Sequence, residues 1–425
     1  MTHRVSLCLI VLLVLLTAKS GLAQSLPDVS SVKDLPSTTP VSPRYQRLAP
    51  LSIHSQPNFL DSGSPVLPRN QAATSFTTLA HVASVPNFQG SFTSRGKTWL
   101  FTMIGAPPSS GSTINVPAKI VAVSLRLQNA DLVTFTTVSV LGFETPTLKS
   151  PNFQTANYSS GSAIQFADAV QRAEFFHTMK STWHTDLEPT TIVQLVTLTV
   201  PRFTTITLNG RKTQVRTYFT GKSSDGHTAV FLLDQFFDQQ IFNIVVKQIN
   251  AGHFTTGALN MALFPNTFLY SVNSSGGMGS CCVLGFHTYF TNNAQPTESR
   301  WVFAFASWIS PGVFSGGFRD VTALSHEISE AFDDPFLNNR VPAWELPNEP
   351  GTCQDDLEIG DPIEVLSNVV FPVNIFGVTY HPQTEALLQW FEQKSPSNAI
   401  NGAFSYPNTK ALTSPATAFG PLTCP

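Results

Sequence analysis

Ten of the chain's 27 acidic residues fall in the 36 residues from His326 to Asp361, opposed there only by Arg340. Carboxylates at that density repel one another unless they are spread in water or neutralised by a cation. Only 12% of the chain is charged, so this concentration is local, not a habit of the whole sequence. Any fold for this chain has to solve the charge problem of residues 326–361.

The first part of that stretch reads as a helix. Asp320 is a candidate N-cap, and Pro335 cannot continue a helix. Val321, Leu324, Ile328, Ala331 and Phe332 recur at helical spacing as one apolar stripe. At 100° per residue, His326 and Glu330 lie on the opposite side, with Asp333 and Asp334 near them. Being four apart, His326 and Glu330 can both touch one cation. A solvated charged face is the plainer reading of such a helix, and the acid density that follows it favours a bound cation instead.

His326-Glu327-Ile328-Ser329-Glu330 differs at one position from the His-Glu-x-x-His helix of zinc hydrolases. In that motif the two histidines hold the metal and the glutamate is the general base. Carboxylate oxygen is an accepted zinc ligand, although it lowers the metal's Lewis acidity and makes hard cations more competitive. The expected assignment is therefore His326, Glu330 and, downstream, Glu358 as metal ligands, with Glu327 as base. Asp361 is expected to orient His326 from behind, with Asp334 in the same supporting role. Zn²⁺ is the expected ion and Ca²⁺ the alternative, which would have little use for His326. His287 is expected to be a satisfied structural histidine beside a cysteine pair.

The run from Ser325 to Pro335, then Cys353, then Glu358-Ile359-Gly360-Asp361 and Leu388-Gln389-Trp390, resembles the C-terminal core of EXORDIUM/phosphate-induced-protein-like proteins and their bacterial relatives. Those carry a His-Glu-x-x-Glu-Ala-x-x-Asp-Pro block followed by Glu-Ile-x-Asp. The run from Cys282 to His287 and the segment from Gln165 to Phe175 also have counterparts there. The likeness covers residues 160–395 in separate blocks, of which 325–361 is the most specific. It implies secretion and a family-type metal block. Plant members are secreted proteins linked to growth signalling at the cell wall, and bacterial members look like zinc-peptidase relatives by motif.

The N-terminus agrees with export. A basic start (Met1 to Arg4), an apolar run (Val5 to Thr17) and Gly21-Leu22-Ala23 have the layout of a signal peptide over residues 1–23. A retained anchor is the alternative. Residues 24–72, rich in Pro, Ser and Thr, read as a linker or pro-segment. No later run of 18 apolar residues is present, so no stable membrane span is expected after cleavage. The excess of acids over bases argues against a nucleic-acid partner. Cys281, Cys282, Cys353 and Cys424 remain after cleavage, and export permits disulfides. Adjacent cysteines rarely satisfy disulfide geometry with each other, so Cys282 (or Cys281) is expected to pair with Cys353.

Period-two runs between glycine and proline clusters predict strands at 98–104, 119–127, 191–200, 228–233, 243–248, 260–271, 288–290 and 301–309. Ser162 and Gln165 form a candidate capping box for a helix through Phe166, Val170, Ala173 and Phe176. Strands with a few helices, without regular alternation, predict an α+β fold. The expected division is a β-rich region at 73–155 and a zincin-like metal-binding domain at 156–425, with a mixed sheet and an active-site helix. The function expected is a secreted metal-dependent hydrolase, a zincin-like peptidase whose peptide or protein substrate lies along the strand near Trp301–Ile309. The alternative is a non-catalytic secreted binding or cell-wall signalling protein with a structural cation.

Overall fold

Thr113–Gln128 is the strand around which the chain is organised, and its residues divide by parity between two cores. Val116, Ala118, Ile120 and Ala122 enter one; Val121, Val123, Leu125 and Leu127 enter the other. A strand buried on both faces belongs at the centre of a sheet with cover on each side. In the computed structural model, which describes residues 82–158, 163–188, 192–291, 298–314, 317–347 and 353–416, that is its position. The expected signal peptide, the 24–72 segment, Ser162 and Cys424 lie outside the described residues.

On one side Thr113–Gln128 pairs in parallel with His184–Glu188 and Ile192–Val200. On the other it pairs in parallel with Leu259–Pro265, which pairs in parallel with Glu298–Trp308. The last strand, Gly285–Thr291, runs antiparallel to Glu298–Trp308, with His287 opposite Ala304 and Gly285 opposite Ala306. Strand outweighs helix, 44% against 18%, so the class is mixed α+β with a largely parallel main sheet. Strands from both sides of residue 155 share this sheet.

Helix Thr322–Asp333, the site helix, packs across Glu298–Trp308 and Gly285–Thr291 on the first core's side. Gly285, His287 and Tyr289 share the parity that faces it, while Phe286 and Phe290 point into the second core. Helix Asp234–Asn250 covers the opposite face through Phe237, Ile241, Ile244 and Val245. Helix Phe166–Glu174 packs against the site helix from outside the sheet.

Several local expectations give way. Residues 243–248 belong to Asp234–Asn250 and not to a strand. The run 260–271 breaks at Asn266, whose φ of 42° ends Leu259–Pro265 and sends Thr267–Val272 into a separate four-stranded sheet. Glu298–Trp308, expected to line a cleft, has partners on both sides; among the described residues the outer strand is Gly285–Thr291. The helix expected from Ser162 starts at Phe166, because the Gln165 side chain reaches across to the backbone of Leu187 and Phe153. Asp320 does not cap the site helix. Its carboxylate bonds the backbone N–H groups of Val321 and His381 and the His381 ring.

The expected Cys282–Cys353 bridge is replaced by one between Cys281 and Cys282.

Candidate metal centre

The site helix is buried along its whole length, so its polar side is not a solvated face. The sequence pattern dictates two faces, and the fold covers both. The apolar stripe meets the sheet, while segments 357–364 and 381–391 close over the other side. His326, Glu327, Glu330 and His287 are 0% exposed, Glu358 1% and Asp361 2%. Burial of so many ionisable groups is unfavourable unless charges are paired or coordinate a cation.

Glu330 is at the centre. Its Oε1 lies 3.1 Å from His326 Nε2 and accepts the Gly360 N–H at 3.1 Å. Its Oε2 lies 3.4 Å from His287 Nδ1. Glu358 Oε2 lies 3.8 Å from His287 Nδ1, and Asp361 Oδ1 lies 3.7 Å from His326 Nε2. Glu327 sits between the two rings, Oε1 at 4.0 Å from His326 Nε2 and Oε2 at 3.8 Å from His287 Nδ1. Gly285 makes that position available, because a Cβ there would lie 2.6 Å from Glu327 Oε1.

Many of these atoms lack a hydrogen-bond partner: His287 Nδ1, His326 Nε2, both Glu327 oxygens, Glu330 Oε2, Glu358 Oε2 and Asp361 Oδ1. Native proteins leave few buried polar atoms unsatisfied, and clusters of them mark a missing ion or water. Buried imidazole and carboxylate groups this close together could bind a metal ion. The residues present therefore fit a metal.

Electrostatics point the same way. Burial lifts Glu327 to about 7 against the pull of His326 and His287. Glu330 is lifted by burial too, but His326 and His287 outweigh that and hold it at about 2. Glu358, Asp361 and Glu385 are pushed well above the usual carboxylate range, chiefly by burial. Burial alone would lower the two histidines. The surrounding glutamates instead raise both well above the usual imidazole range, Glu358 first for His287 and Glu330 first for His326. Protonated rings here do what a cation would do.

The tautomers are set from behind. His287 Nε2 donates to the Asp334 carbonyl at 3.2 Å, leaving Nδ1 for the centre. Asp334 thus supports the site through its backbone, while its carboxylate, raised to about 7 by burial, accepts the N–H groups of Asn338 and Asn339. His326 Nδ1 faces Gln383 Nε2 at 2.9 Å. Gln383 therefore controls that ring. Its amide nitrogen, which also donates to the Gly360 carbonyl at 2.7 Å, faces Nδ1 and leaves the ring proton on Nε2; turned about, its oxygen would accept from Nδ1 and free Nε2 for a cation. Asp361 does not take the supporting position behind His326; its Oδ1 faces Nε2, and its Oδ2 accepts from Gln354.

His326, Glu327, Glu330 and Glu358, the four residues expected from the sequence, come together in the fold. The sequence reading sets His287 aside and misses Gln383 and Glu385. The signal for His287 was the Gly285-x-His287 spacing on a strand, which puts a gap and a ligand on one face. The remaining acids of the cluster behave differently: Asp355 and Asp356 both pair with Arg340. Glu349 lies outside the described residues.

A second group, Asp168, His184 and Asp186, lies beside the start of Thr113–Gln128, where His184 is opposite Thr113 and Asp186 opposite Asn115. Asp168 uses one oxygen on His184 Nδ1 at 2.7 Å and the other on the Thr185 N–H. That bond raises the His184 pKa, with burial and Arg172 opposing and Asp186 assisting. A raised histidine stabilises the fold fully below its unfolded value of about 6.5 and loses that contribution as pH rises through the folded value. The stability gap between the wild type and His184→Asn should therefore be larger at pH 5.5 than at pH 9 in denaturant melts. A gap independent of pH would mean that the Asp168 contact does not depend on charge.

No protein-family model, curated protein or solved structure matches this chain. No helix among the described residues is long and apolar enough to cross a membrane.

Proposed function

We propose that this chain is a secreted metal-dependent hydrolase, a zincin-like peptidase acting on a peptide or protein. His326, Glu330 and Glu358, joined by His287 and Asp361, hold the metal, with Zn²⁺ the favoured ion. The likeness of residues 325–361 to the EXORDIUM/phosphate-induced-protein-like block supports export and a metal-binding role. The reading rests on Glu327, a fully buried carboxylate with no hydrogen bond to either oxygen, held beside both histidines over a glycine. A structural carboxylate would be satisfied there. Bound Zn²⁺ supplies a Lewis acid that polarises a carbonyl and acidifies water. Glu327 takes the proton from the attacking water at a carboxylate oxygen and delivers it to the leaving amine. The Asp334 carbonyl and Gln383 orient the rings of His287 and His326.

A second reading, a structural cation in a non-catalytic secreted binding protein, is favoured by the burial of the site, whose candidate ligands are at most 2% exposed. Glu327→Gln separates the two. The hydrolase reading expects unchanged metal content by elemental mass spectrometry and loss of peptide cleavage by roughly 10²-fold or more. Metal retained with no cleavage by the wild type across a broad peptide library moves the assignment to the structural cation.

A further inference from the structure

The ligand atoms do not gather around one point. One set of mutually close donors is His287, Glu330 and Glu358; the other is His326, Glu327 and Glu330. Each set lies within 4.8 Å, Glu330 belongs to both, and neither contains both histidines. Donors to a single zinc sit about 2.0–2.2 Å from it, so any two are at most about 4.4 Å apart. Glu330 turns one oxygen to each ring, 3.1 Å from His326 Nε2 and 3.4 Å from His287 Nδ1. Each inward ring nitrogen faces a further carboxylate, Asp361 at 3.7 Å and Glu358 at 3.8 Å. The arrangement is a doubled one, with a shared carboxylate in the middle.

We propose that the centre holds two divalent transition ions bridged by Glu330, one on His326, with Asp361 facing that ring outside the close set, the other on His287 and Glu358. Charge supports two ions over one. Glu327, Glu330, Glu358 and Asp361 carry four negative charges when ionised, which two divalent cations balance. A single ion leaves two buried negative charges without Lys or Arg among their partners. Unpartnered atoms on both sides, His287 Nδ1 and Glu358 Oε2 on one and His326 Nε2 and Asp361 Oδ1 on the other, give each ion its own vacant donors. With three close donors on the His287 side and His326 and Glu330 on the other, positions are left for water, and Glu327, adjacent to both rings, keeps its role as proton carrier. The inference rests on the reading of this cluster as a metal centre.

The test is stoichiometric. The full-length exported protein is stripped, reloaded with Zn²⁺ alone, freed of excess and measured by elemental mass spectrometry. The wild type should hold about two zinc per chain, and His287→Ala and His326→Ala about one each. Circular dichroism melts confirm that the variants fold. Loading the wild type with Co²⁺ gives a readout independent of variants: the paramagnetic resonance signal per cobalt should fall between one and two equivalents as the bridged spins couple. One zinc per chain, lost in both histidine variants, overturns the two-ion centre and leaves the hydrolase reading standing. Two zinc with no loss in His287→Ala also overturns it, by placing the second ion elsewhere. No zinc in any form overturns both.

Discussion

Stripping the metal with a chelator is expected to lower the thermal midpoint by roughly 5–10 °C, with recovery on adding Zn²⁺. An ion present at a thousand times its dissociation constant stabilises the form that binds it by about 4 kcal/mol. In a domain larger than 150 residues each kcal/mol corresponds to a few degrees. The size of the effect follows from the burial of the site. Six ionisable groups are at most 2% exposed, and seven of their donor atoms lack a partner. Without a cation, the carboxylates must stay neutral or pair with protonated His287 and His326, and both arrangements are weaker than coordination. Differential scanning fluorimetry with and without chelator makes the comparison. A midpoint that does not move, in a sample verified to have lost its metal, means that the protons suffice and that the cluster is not held by an ion.

The helix carrying His326 and Glu330 was legible because its information is local. Spacing by four places two donors on one face whatever the tertiary structure, and Pro335 fixes where the face ends. Glu358 was legible by its position downstream. His287 was not, because its role depends on register: only when Gly285–Thr291 lies against Glu298–Trp308 does the Gly285–His287 face look at the helix. Glu385 begins the two-residue strand Glu385–Ala386 and Gln383 lies just before it, too short a stretch for any periodicity to point them inward. The 243–248 error has a different cause. Ile244, Val245 and Val246 carry strand propensity, but the buried residues Phe237, Ile241, Ile244, Val245 and Gln248 follow helical spacing, and the longer pattern wins.

Gly360→Ala should disable the centre without touching a ligand. The backbone there is ordinary, φ −81° and ψ −36°, so conformational freedom is not the reason for the glycine. Space is the reason. A Cβ at 360 would lie 2.3 Å from His326 Nδ1, 2.4 Å from Cε1 and 2.6 Å from Cγ, well inside contact distance. The ring cannot yield easily. It is fully buried, with Gln383 against its Nδ1 and Glu330 against its Nε2. Moving segment 357–364 instead would pull the Gly360 N–H off Glu330 Oε1 and shift Glu358 and Asp361 with it. Either response moves at least one donor. Overpacking of this kind costs about 1–3 kcal/mol of stability, and displacing a group that orients a ligand typically costs 10–100-fold in metal affinity. Gly257→Ala is the matched control, since nothing lies within 4 Å of its added Cβ. Zinc titration against a competing chelator measures both variants. Equal affinity in Gly360→Ala and wild type would mean that His326 has room to move and does not hold the ion in the position described.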